Sequence, residues 1–234
     1  MKAHTSETQR STTPAKALQF LREGNARFVS NLNAHRDLLE QVNATRDGQW
    51  PIAAVLSCID SRTSAELIFD QGLGDIFSIR IAGSVVNTDI IGSLEFASRI
   101  AGSRLIVVLG HSRCGAIMGA CDHVELGNLT ELLSKIQPAV YEESETKDPA
   151  ARHSGNTVFV ENVAELNVRR SVRAIINRSI ILEDMIAGGE VAIIGAKHDL
   201  DTGLVTFYDD TYVADRASLD TFAKRASGPN VPVR

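Results

Sequence analysis

The chain has 234 residues, 44% of them apolar, a formal net charge of −5 and three cysteines. That length and apolar content suffice for one sizeable core. The acidic balance argues against nucleic acid as the main partner, and three unevenly placed cysteines do not make a disulfide framework. No apolar stretch reaches membrane-spanning length and the start, Met1-Lys2-Ala3-His4-Thr5-Ser6, has no hydrophobic signal region, so a cytoplasmic protein without a membrane partner is expected.

Residues 1–12 are polar and Ser/Thr-rich and read as a flexible tail, mobile unless they wrap a neighbouring subunit. Residues 13–234 read as a single domain. Thr13-Pro14 is an N-cap with proline at the first helical position, opening a helix to about Asn31. A weaker helix spans roughly Arg36 to Thr45. Pro51 rigidifies the entry to a first strand, Ile52-Ala53-Ala54-Val55-Leu56, and a short helix capped by Ser64 follows. A second strand covers 75–80. A helix capped by Asn87 or Thr88 carries Ile90, Ile91, Leu94, Phe96 and Ile100. The third strand is Leu105-Ile106-Val107-Val108-Leu109, followed by a helix opening near Gly115 and another at about 129–136. The run Glu142-Glu143-Ser144-Glu145 reads as a solvated face or loop. A long amphipathic helix spans Thr157 to Asn177, and its arginines suit an exposed face or an oligomer contact. A short helix ends at Gly188-Gly189. A fourth strand (191–195), the turn Asp201-Thr202-Gly203 and a fifth strand (204–208) form a hairpin, which makes the last strand an antiparallel edge. The fold class expected is α/β: a mainly parallel central sheet of about five strands, helices on both faces and an N-terminal helical arm.

The first and third strands each stop abruptly at chemically capable side chains. One ends in Ser57-Cys58-Ile59-Asp60-Ser61-Arg62, the other in Gly110-His111-Ser112-Arg113-Cys114-Gly115. Buried parallel strands open at their carboxyl ends into ligand crevices. Two thiols and one imidazole delivered there form a soft metal site, with zinc the leading candidate and one coordination position left open, as in catalytic sites. Arg62 is suited to hold the Asp60 carboxylate by two parallel hydrogen bonds. His111 and Cys114, three apart, converge where the chain turns into a helix. Cys121 reads as a small buried hydrophobe. His4, His35, His123, His153 and His198 lack a comparable setting and read as surface or local structural residues.

Cys58-x-Asp60-Ser61-Arg62 followed by Gly110-His111-x-x-Cys114-Gly115 resembles the signature of the β-class carbonic anhydrases. The likeness extends through Gln49-x-Pro51, Phe69-x-x-Gly72-x-Gly74-Asp75 and Arg80-x-Ala82-Gly83 to the Tyr208 region. The resemblance implies one zinc ion per subunit on Cys58, His111 and Cys114, with Asp60 and Arg62 as the catalytic dyad. It implies reversible hydration of carbon dioxide to bicarbonate and a proton by attack of zinc-bound hydroxide, a lyase activity. Gln49 matches the residue that helps orient substrate, and Phe77, Ala82 and Phe96 match positions lining the apolar substrate pocket. A homodimer or homotetramer with active sites at the subunit interface is implied too. Arg80 matches one residue of a regulatory bicarbonate site, but Val55 stands where that site has tryptophan, so the site is expected to be weak or absent. Hydrolysis of carbon disulfide or carbonyl sulfide on the same fold, and a non-catalytic zinc-binding protein, stand as alternatives.

Overall fold

The computed structural model describes residues 3–226. In chain order its elements are α1 (Ser6–Ser11), α2 (Pro14–Val29), α3 (Leu38–Ala44), β1 (Ala53–Ser57), α4 (Ala65–Ile68), β2 (Ile76–Arg80), α5 (Thr88–Glu95), β3 (Leu105–His111), α6 (Gly115–Cys121), α7 (Gly127–Ser134), α8 (Gln137–Glu142), α9 (Thr157–Arg178), α10 (Ile180–Ala187), β4 (Ala192–His198), β5 (Val205–Val213) and α11 (Arg216–Ala226). A π-helical turn, Phe96–Ile100, extends α5. The strands form one sheet in the order β2-β1-β3-β4-β5. Pairing is parallel from β2 to β4, and β5 runs antiparallel against β4.

The near-continuous apolar runs of β1 and β3 are explained by cover on both faces. On one face Ala54, Leu56, Ile106, Val108 and Ile193 pack against Leu94 of α5, Val168, Val172 and Ile175 of α9 and Leu182 of α10. On the other, Ala53, Val55, Leu105, Val107 and Ile194 meet Ala17 and Leu21 of α2 and Ala65 and Ile68 of α4. The N-terminal arm is therefore docked on its own sheet through α2, while α3 leaves Leu38, Leu39 and Val42 exposed. None of the described helices is long and apolar enough to cross a membrane.

Four expectations need correction. Within the stretch read as a flexible tail, Ser6–Ser11 is a helix capped by Thr5. Its buried Gln9 donates to the carbonyls of Pro51 (2.7 Å) and Ala101 (2.8 Å) at the foot of the sheet. The acidic run is not wholly solvated, because Glu143 is buried and accepts from Arg152, Asn162 and the Thr146 backbone. Ser64 precedes α4 without capping it, its hydroxyl donating to Glu66 instead. The fourth strand does not stop at Gly195: β4 runs on to His198 and buries it at the strand's end. The hairpin turn is as expected. Asp199 accepts from the backbone of Asp201 and Thr202, and Gly203 holds a φ of +76° that suits glycine.

Candidate metal centre

β1 and β3 are adjacent and parallel, with Ser57 in register with Leu109, so the residues that follow each strand emerge at the same end of the sheet. Cys58 leaves β1 there, His111 closes β3, and Cys114 occupies the N-cap of α6 with its side chain not used in capping. A third apolar cluster backs them, with Val85, Ile117, Ile136, Phe159 and Val163 packed around the two cysteines. One sulfur or ring nitrogen from each of Cys58, His111 and Cys114 lies within 4.8 Å of the others, and all three residues are buried. The two sulfurs are 4.0 Å apart.

The donor chemistry fits a single ion. His111 Nδ1 lies 2.9 Å from the Ser112 carbonyl, which can only accept, so Nδ1 carries the proton and Nε2 keeps its lone pair. That Nε2 is buried and has no hydrogen-bond partner in the protein. A buried acceptor left over beside two thiols is what a metal would satisfy. The Cys58 thiol is pushed down chiefly by sharing a proton with Cys114, helped by His111 and by the Gly83 N–H 3.4 Å from its sulfur. The same sharing, together with burial, pushes Cys114 up. The protein alone thus favours one shared negative charge on the pair, and coordination to a cation removes the second proton outright.

Asp60 stands beside this cluster and outside it. Its Oδ1 accepts from Arg62 N (2.9 Å) and Nε (2.9 Å), and its Oδ2 from Arg62 Nη2 (2.7 Å). That guanidinium holds the carboxyl well below the usual carboxylate range, against a smaller opposing effect of burial. The loop is fixed from below by Arg80, which donates to the carbonyls of Cys58 (3.0 Å) and Asp60 (2.6 Å), and by the buried Thr63 hydroxyl.

The pocket residues behave differently. Phe77 and Phe96 meet edge to face with ring centres 6.4 Å apart, on the wall of a groove of about 560 Å³ along the edge strand β2. The lining of that groove includes none of the three metal-site residues, and one chain leaves it open. Ala82 is half-buried, next to the Gly83 that faces Cys58. Gln49 is exposed before the start of β1. Ile52 to Cys58 spans about 20 Å at strand rise, so Gln49 is at the far end of its own sheet from the metal centre.

Sequence reading missed Gly83 as part of the site. Its φ of +67° favours glycine, and a Cβ there would come within 2.7 Å of Ile136 Cδ1. The Arg80-x-Ala82-Gly83 string was its available signal. Ser112 was also passed over, although its position between His111 and Cys114 marked it.

The fold and centre define an α/β protein whose parallel strands deliver a buried Cys-His-Cys set with an Arg-held carboxylate at its rim. A family profile described as carbonic anhydrase matches residues 53–205. The chain is 35% identical over 204 residues to carbonic anhydrase 2 of Mycobacterium tuberculosis, covering 85% of this chain and 94% of that one. Its fold is similar to the β-carbonic anhydrase CafA of Aspergillus fumigatus (TM-score 0.64, 23% identity, 90% of this chain and 97% of that one). It is also similar to one of two tetrameric β-carbonic anhydrases of Sordaria macrospora (TM-score 0.63, 23% identity, 81% and 95%). The chain belongs to the β-class carbonic anhydrase family.

Proposed function

We propose that Cys58, His111 and Cys114 hold one zinc ion and that the chain catalyses the reversible hydration of carbon dioxide beside it. The observation that carries this reading is the convergence of three soft ligand atoms within 4.8 Å while Asp60 is kept out of the set by Arg62. A tetrahedron with zinc–sulfur bonds of about 2.3 Å has an edge of about 3.8 Å, close to the 4.0 Å between the sulfurs. Bound zinc would supply Lewis-acid activation of water, bringing its pKa down toward about 7. Asp60 remains ionised and keeps a lone pair on Oδ2 beyond its bond to Arg62, which can accept the O–H of the attacking nucleophile and aim its other lone pairs at the substrate carbon. Dialysis against a strong chelator is expected to remove zinc and activity together, and readdition of zinc to restore both. A chain carrying one zinc per subunit that hydrates carbon dioxide no faster than buffer, measured by stopped flow, would overturn the reading.

We further read the working unit as a homo-oligomer whose second copy closes the groove at Phe77 and Phe96 and brings its own Gln49 to this chain's centre. The support is geometric: Gln49 cannot reach the metal centre of its own chain, and the groove is open in one copy. Gln49→Ala is expected to lower turnover about a hundredfold, as loss of one oriented donor does. Hybrids of Gln49→Ala with His111→Ala chains should recover turnover, since each hybrid dimer then contains one site with an intact donor and an intact ligand set. Hybrids as inactive as their parents would place Gln49 on its own chain's site. Native turnover in the Gln49→Ala parent would remove it from the mechanism.

A further inference from the structure

His111 and Cys114 are separated by Ser112 and Arg113, so the shape of this two-residue bend sets the distance between the imidazole and the thiol. Arg113 adopts φ +55°, a left-handed conformation that costs any residue other than glycine. Its backbone N–H donates to Glu161 Oε1 at 3.1 Å. Glu161 lies on α9, and its other oxygen accepts from Lys197 Nζ on β4 at 3.0 Å. Both side chains of that pair are about three-quarters covered, at 26% and 22% exposure, so the carboxylate is held by packing as well as by charge. Ser112 is gripped in parallel: its N–H donates to the His198 carbonyl at 3.0 Å, and its Oγ accepts from Leu200 N at 2.9 Å. The Arg113 guanidinium reaches Asp201 at 2.9 Å, but both groups are 62% exposed and such a pair contributes little.

From these contacts we infer that Glu161 is a positioning residue for the metal centre. It ties α9 and β4 to the bend and holds Arg113 in the left-handed conformation that lets His111 and Cys114 face one ion. Glu161 touches neither the ion's ligand atoms nor the reacting atoms, and it acts through the Arg113 N–H. A ligand pair joined by a bend of fixed shape loses less freedom on binding the ion, and loss of such outer support lowers metal affinity about 10- to 100-fold. The inference rests on the reading of Cys58, His111 and Cys114 as a zinc site.

The test is equilibrium competition for zinc between the full-length chain and a chromogenic chelator, with the thermal midpoint of the metal-free chain measured alongside. Glu161→Ala should weaken zinc binding about 10- to 100-fold and leave the metal-free midpoint near native. Glu161→Gln keeps an oxygen for the Arg113 N–H and should stay within about threefold of native, which separates the hydrogen bond from the charge. The double variant Glu161→Ala with Arg113→Gly should recover most of the affinity, because glycine holds positive φ without support. Native-like affinity in Glu161→Ala overturns the inference, as does a loss that glycine does not recover or one matched by collapse of the metal-free midpoint. Failure of the native chain to take up zinc at all would sink the zinc reading itself, and the role of Glu161 with it.

Discussion

Replacing Asp60 by asparagine is expected to lower carbon dioxide hydration about a hundredfold or more, the range of a lost positioned proton acceptor, while each chain keeps its zinc. The substitution preserves size and leaves Cys58, His111 and Cys114 untouched. It removes an ionised acceptor that lies beside that set without joining it. An asparagine amide can offer one oxygen to Arg62, but its NH2 then faces either the guanidinium or the nucleophile as a donor where an acceptor is needed. The measurement is kcat by stopped flow together with zinc content of the same sample. Unchanged turnover at full zinc would dismiss Asp60 from the mechanism, and loss of zinc in proportion to activity would reassign it to the metal.

The largest effect on stability is expected away from the site, at Asp70. Its carboxylate is 1% exposed and accepts from Arg27 Nε at 2.5 Å, from Arg36 Nη1 and from the Ala34 backbone at 3.2 Å. Arg36 also donates to the Asp70 carbonyl, and its side chain is only 8% exposed. One buried anion thereby fastens the end of α2 and the segment leading to α3 onto the turn after α4. Asp70→Ala removes the buried carboxylate that both guanidiniums meet and should cost about 3–5 kcal/mol, read as a shift in the urea midpoint at neutral pH. A loss under about 1 kcal/mol, the value of a surface pair, would show that the cluster is not cooperative. Burial pushes this carboxyl up, but the hydrogen bonds from Arg36, Arg27 and Ala34 outweigh it and its net pKa is lowered. With the folded value below the unfolded one near 3.9, the contribution is complete above about pH 4 and is lost as pH falls through the folded value. The gap between native and Asp70→Asn midpoints should therefore narrow below about pH 4 and stay level above it.

Where the chain itself announced its structure, the signal was short in range. The apolar runs of β1 and β3 could be read because burial on both faces leaves no polar alternation to confuse them. The hairpin could be read because Asp201-Thr202-Gly203 carries its own turn chemistry; the structure adds Asp199, which accepts from the Thr202 N–H. β4 was cut short at Gly195 because Ala196-Lys197-His198 shows no strand pattern by itself. Pairing with Thr206 and Val205 of β5 extends it and buries His198. Gln9 and Glu143 were misjudged for a related reason: a polar side chain in a polar stretch reads as solvated. Their partners, Pro51 and Ala101 for the one and Arg152 and Asn162 for the other, are set by packing.

The inventory of the centre was legible from residue order alone: two thiols, one imidazole and a carboxylate next to a guanidinium, each placed where an apolar strand ends. Those are properties of residue type and of neighbours a few positions away. Tertiary structure alone decided that Cys58 and Cys114, 56 residues apart in the chain, bring their sulfurs to 4.0 Å. It also decided that Gln49 belongs to the far end of the sheet, and that Glu161 of α9 accepts from the Arg113 N–H in the bend between His111 and Cys114. Each of these is a distance between segments whose relative position is set by strand register and helix packing, and no local pattern of residues encodes it.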